Sequence, residues 1–262
     1  MTDILKYEGR RHVTASLALT LLLGLFVILI LSIYPSIVET GPAIREFIDN
    51  LPEQMTSSFA IEAYTTVEGF LATEFYQFMW LLLAALYVIY VAGGTIATDV
   101  ETGRIDLLLA TPVSRRRVVV EKYLSLAVPI VVLNLVLPLF VYAGLLSIGE
   151  SIDMGRVLLL HLFSIPYLAL VGAIGLLLSV LVERSDVAQR GGLALMFVLF
   201  VANSVTTDTD FEWLGVVSPT RYFDPSSILI DGEVDLAGAA ILLAATVALV
   251  TVSAEIFKNS DV

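Results

Sequence analysis

Apolar residues in this chain gather into long, nearly unbroken runs instead of recurring at helical or strand spacing. The runs are 13–34, 75–98, 123–149, 157–182, 191–205 and 236–254, and the first four contain no Asp, Glu, Lys or Arg. A helix needs about 20 apolar residues to cross a bilayer, because each residue adds about 1.5 Å against about 30 Å of hydrocarbon. Five runs meet this length. The fifth in order, 191–205, is short, and the pattern extends it back to Gln189 with Arg190 reaching to the interface. The predicted fold is therefore all-α: a polytopic integral membrane protein with six transmembrane helices.

The polar stretches between the runs predict smaller elements. Ile4, Leu5 and the Tyr7-Glu8 pair suggest a short helix lying along the interface before the chain turns inward. Within the long connection 35–74, Pro42 suits a first helical turn. Ile44, Phe47, Ile48 and Leu51 follow it at helical spacing, and Pro52 ends that helix. A second amphipathic piece is expected at 61–71. The connections 148–156 and 183–190 read as tight turns. In 206–235 the Ser218-Pro219 and Asp224-Pro225 pairs mark turns, and Phe211, Trp213, Tyr222 and Phe223 suit an aromatic belt at the membrane surface. With no internal repeat and no linker, 1–262 is expected to be one domain, its connections 35–74 and 206–235 lying outside the cell.

Charge sets the expected orientation. Lys6, Arg10, Arg11, Arg104, Arg115, Arg116, Arg117, Lys122, Arg184, Arg190 and Lys258 fall on one side of a six-span plan. Only Arg45, Arg156 and Arg221 fall on the other. Eleven against three places both termini and the connection 99–122 in the cytoplasm. The first run is 22 residues long and has no small-residue cleavage site, so an uncleaved first span is expected. The Arg10-Arg11 pair is read as anchoring charge, not as an export signal.

Composition agrees with a membrane body: 58% of residues are hydrophobic and 15% charged, with a mean hydropathy of +0.90. About 25% charged is usual for a soluble domain. The net charge is −12, and only three residues are lysine. Acidic side chains crowd the two long outer connections. An acidic, lysine-poor surface suits a halophilic host, where salt screens repulsion; a vestibule for calcium or a cationic substrate is the other reading. With no cysteine, disulfides and thiolate chemistry are excluded.

The connection 99–122 carries the most information. Ile105, Leu108 and Leu109 recur at i, i+3 and i+4, predicting a short helix with one apolar face. Gly103 permits a sharp exit from the second span. Pro112 breaks the helix, and Ser114 is placed to cap the next one, which carries three arginines into the third span. Inside-facing anchoring explains the arginines but not the helix and its proline break; docking of a soluble partner explains both. Glu101, Gly103, Ile105, Leu107, Leu108, Thr111, Pro112, Val113, Ser114, Arg115 and Lys122 resemble the loop signature of ABC-2 type permeases, the membrane subunits of ATP-binding-cassette transporters. Arg104 and Asp106 depart from the usual threonine and glutamate.

That resemblance implies an ATPase subunit as partner, contacted through Glu101, Gly103, Ile105, Leu107, Leu108, Thr111, Pro112 and Arg115 on a coupling helix. It also implies a second copy of the chain or a related permease, and a place in the cell membrane. No cofactor is expected on this chain, since ATP and Mg belong to the ATPase; no phosphate-binding G-x-x-x-x-G-K-[ST] occurs here. No catalytic residue, metal site or nucleic-acid partner is expected. His12 and His161 are the only histidines, and no H-E-x-x-H is present. His161 reads as a packing residue. Pro129, Pro138 and Pro166 read as kinks, and Gly93, Gly94, Gly172, Gly175, Gly191 and Gly192 as helix-packing or bending points. Asn134 and Asn203, polar residues inside spans, are candidates for a substrate path. The alternative to transport is a membrane scaffold, or an assembly factor for an exported protein, worked by an ATPase. An intramembrane enzyme ranks third.

Overall fold

The computed structural model describes residues 3–49, 66–207 and 209–260, with side chains of the first segment described over 4–40. Among the described residues the elements are helical, with no strand. Helix α1 runs Asp3–Asp49. The second span is α2 (Val67–Leu71), a π-wound segment (Ala72–Ala84), α3 (Ala85–Gly93) and α4 (Ala97–Glu101). A short helix α5 (Arg104–Leu109) precedes α6 (Arg115–Ser125) and α7 (Ala127–Ile148), which together make the third span. Then come α8 (Met154–Leu181), α9 (Ser185–Thr206) and α10 (Leu236–Lys258). Six of these helical stretches are long and apolar enough to cross a membrane.

Several elements differ from the sequence expectation. The chain does not turn after residue 12: α1 is one helix, about 70 Å long at 1.5 Å per residue, and it includes Pro35 and Pro42. Its first turns are held in line by packing, since Gly9 lies against Val128 and Glu8 pairs with Lys122 of α6. The expected helix stop at Pro52 and the residues 61–65 lie outside the described residues. The turn expected over 183–190 is shorter, because α9 already begins at Ser185. Leu126 separates α6 from α7, three residues before Pro129. Proline there lacks an N–H and crowds the carbonyl four residues back.

Two spans approach closely at Gly175 of α8. A Cβ there would sit 2.7 Å from the Ala92 Cβ and 2.8 Å from the Ile89 carbonyl oxygen of α3. Gly93 and Gly94 make a similar approach to Ala188 and Gln189 of α9, whereas Gly191 faces open space and packs against nothing. Phe223, expected in the surface belt, is instead buried and stacked on Tyr167 at 5.6 Å; Phe211 and Trp213 are exposed.

Many polar groups inside the body bond to backbone carbonyls, and a few join one another across helices. Tyr167 Oη donates to the Leu81 carbonyl in the π-wound segment at 2.6 Å. Asn134 Nδ2 donates to the Ile130 carbonyl, while its Oδ1 accepts from Ser164 at 2.6 Å and faces His161 Nδ1 at 3.1 Å. An acceptor on Nδ1 places the ring proton there, so Nε2 accepts from Tyr76 Oη at 3.1 Å. His161 is thus a satisfied packing residue. The break between α3 and α4 is closed by Ser179 of α8, whose Oγ accepts from the Ile96 and Ala97 amides, both at 2.9 Å. Ser179→Ala strands two buried donors and is expected to cost about 1–2 kcal/mol. Thermal unfolding in detergent, compared with Ser179→Thr, checks this.

Candidate functional site

The connection 99–122 folds by local rules. Gly103 adopts φ 68°, which ends α4 and starts α5 in a new direction; a side chain there would be strained. Thr111 Oγ1 donates to the Leu108 carbonyl at 2.6 Å and closes α5. Ser114 caps α6 by accepting from the Arg117 amide.

The apolar face of α5 turns inward. Ile105 is fully buried in a small cluster with Ile96, Val118, Val119, Leu176 and Phe257, and Leu108 and Leu109 are half-buried against it. Leu107 points the other way and is 73% exposed. A leucine that open beside three buried or half-buried neighbours is what makes this helix a docking candidate. The expectation that Ile105 contacts a partner meets a physical obstacle: its surface is already used within this chain. Thr111 and Pro112 are exposed beside Leu107.

The loop is fastened at both ends. Glu101 Oε2 accepts from the Ser185 amide at 3.0 Å and from its hydroxyl, capping the N-terminus of α9 from another span. At the far end, Arg115 Nη1 donates to the Ser260 carbonyl at 2.6 Å, and its guanidinium lies over the Phe257 ring at the C-terminus of α10. Arg115 is therefore committed to its own chain. Arg116 pairs with Glu255 of α10 and Arg117 with Glu121.

Beneath α5 lies an ion network that the sequence reading did not anticipate. Lys122 Nζ sits 2.9 Å from Glu8 Oε1 of α1 and 2.7 Å from Asp99 Oδ2 of α4. The second Asp99 oxygen is 3.0 Å from Arg104 of α5. Lys122, one of three lysines, carries a motif position directly before an apolar run. That position was the available signal, because a lysine entering a packed region requires a paired acid. Between the start of α1 and α5 is an open groove of about 510 Å³, edged by Ile4, Tyr7, Leu107, Leu108 and Val113.

The two asparagines separate. Asn134 belongs to the buried network with His161 and Ser164. Asn203 lines a groove of about 520 Å³ at the opposite end of the body, with Thr73, Gln77, Ser204 and Thr207. Among the described residues no group of His, Cys, Asp or Glu is arranged to hold a metal ion.

Six apolar helical spans and a fastened polar loop define a multi-pass protein of the cell membrane. Residues 12–262 match the ABC-2 family transporter protein family, and the chain belongs to that family, whose members are the permease components of ABC transporters and not the ATPase. A comparison with curated proteins gives no match.

Proposed function

We propose that this chain supplies the path and the lever of an ATP-driven transporter, with ATP and Mg held by a separate ATPase. Two membrane subunits, as two copies or as a related pair, work with two ATPase subunits. Residues 99–122 face the cytoplasm, and α5 is the coupling helix that sits in a cleft of the ATPase. Glu101 and Gly103 set its entry, Leu107 is the apolar knob, and Thr111 and Pro112 flank it. Ile105, Leu108 and Arg115 act from behind by holding the helix to the body.

The observation that carries this reading is Leu107, 73% exposed on the outer face of a helix tied to several spans. A lone anchoring loop has no need of such ties. The groove around Asn203 is the best-supported stretch of substrate path. Its Thr73, Gln77, Ser204 and Thr207 place hydrogen-bonding groups on span surfaces where bare contact with lipid is costly. The acidic, lysine-poor composition fits a host living at high salt.

Because the chain has no cysteine, single cysteines report orientation without background. Introduced at exposed Ser114 and Trp213, they are expected to react with an impermeant thiol reagent from opposite sides, Ser114 from the cytoplasm. Reaction of both from one side contradicts the six-span plan, and Ser114 reacting only from outside contradicts the proposed orientation.

A further inference from the structure

We propose that Lys122 is a positioning residue: its paired ammonium is the joint that fixes the direction of α5 relative to the first, second and third spans. The network links four elements through one connected set of charges, Glu8 of α1, Lys122 of α6, Asp99 of α4 and Arg104 at the first position of α5.

The need for such a joint follows from the kind of contact that otherwise holds α5 itself. It is six residues long, and Ile105 is its one fully buried side chain. Leu108 and Leu109 are half-buried behind it, but apolar contact is non-directional and by itself leaves the helix some freedom to turn. The Arg104–Asp99 pair adds a directional contact at the first residue of α5, which narrows the directions Leu107 can take. Asp99 in turn is held by Lys122, whose side chain is 1% exposed.

Burial separates this role from simple anchoring. An inside-facing lysine that serves the membrane surface reaches out to the headgroups; Lys122 does not. Buried ion pairs add little net stability compared with apolar residues of the same size, but an unpaired buried charge is severely unfavourable. The network is therefore better suited to holding a geometry than to strengthening the fold. A load applied at Leu107 reaches α1, α4 and α6 together through it. That last step rests on the reading of α5 as the ATPase contact; the positioning role does not.

Spin labels test the positioning on the full chain alone. A pair at Tyr7 and Leu107, both exposed, reads α5 against α1, and a pair at Val217 and Leu236 reads the opposite end. Pulsed electron-electron distance measurements are expected to give one narrow peak for each pair in the native chain. Lys122→Met is expected to lose the narrow Tyr7–Leu107 peak, Lys122→Arg to keep it, and the control pair to stay narrow in both. A narrow Tyr7–Leu107 peak in Lys122→Met overturns the proposal. Should Lys122→Met disorder both pairs, Arg104→Gln decides, because it removes the last link and leaves Lys122 paired. Broadening of Tyr7–Leu107 alone then supports the joint, and no change overturns it. If these distances behave as expected while the ATPase ignores the native chain, the docking reading falls and the joint stands.

Discussion

Replacing Leu107 by alanine is expected to weaken ATPase binding about tenfold while leaving insertion and folding unchanged. Full burial of one leucine is worth about 1.5–3 kcal/mol, and about 1.4 kcal/mol is a factor of ten in a dissociation constant. Leu107 is 73% exposed in this chain, so most of that burial is available to a partner and the smaller part is used by the fold. Leu108→Ala serves as the contrast. Leu108 is half-buried against the cluster around Ile105, so its loss removes internal contact and loosens α5. Titration of the detergent-purified chain with its ATPase separates the two, with thermal unfolding as the control. Equal affinity for the native chain and Leu107→Ala removes the knob from the account.

Gly175→Val is expected to produce a large loss of fold. Even the first added carbon would lie 2.7 Å from one atom and 2.8 Å from a backbone oxygen of α3, and backbone cannot rotate aside as a flexible side chain can. Overpacking of a tight site costs about 3 kcal/mol at the upper end of the usual range. For a chain whose whole stability is about 5–15 kcal/mol, that is enough to cut the folded yield sharply. Gly191→Ala is the matched control: nothing lies within 4 Å of its Cβ position, and alanine favours the helix. Size-exclusion profiles and melting curves are expected to show Gly175→Val failing and Gly191→Ala unharmed.

The spans were legible because they depend on a local quantity. A charge-free apolar run has few alternatives to a membrane helix: α10 covers the run read for it, and α7 and α8 match theirs to within a few residues at the ends. The loop was legible for a related reason: Gly103, Pro112 and Ser114 act on their immediate neighbours. What stayed hidden was set by distant partners. Lys122 meets Glu8 across 114 residues, and Glu101 meets Ser185 across 84. No periodicity reports such pairings. The same limit explains Phe223, which reads as a surface aromatic until Tyr167 is placed against it. Continuity of α1 was also hidden, because polar residues at a membrane surface permit either a turn or a straight helix; packing of Gly9 on Val128 decides between them.

A photo-crosslinking residue placed at Leu107 in intact membranes is expected to form an adduct with an ATP-binding-cassette ATPase, identified by mass spectrometry. The same residue at exposed Val217, at the opposite end of the body, is expected to form none. An ATPase adduct from Val217 with none from Leu107 would contradict the account, placing the engine on the other face of the protein.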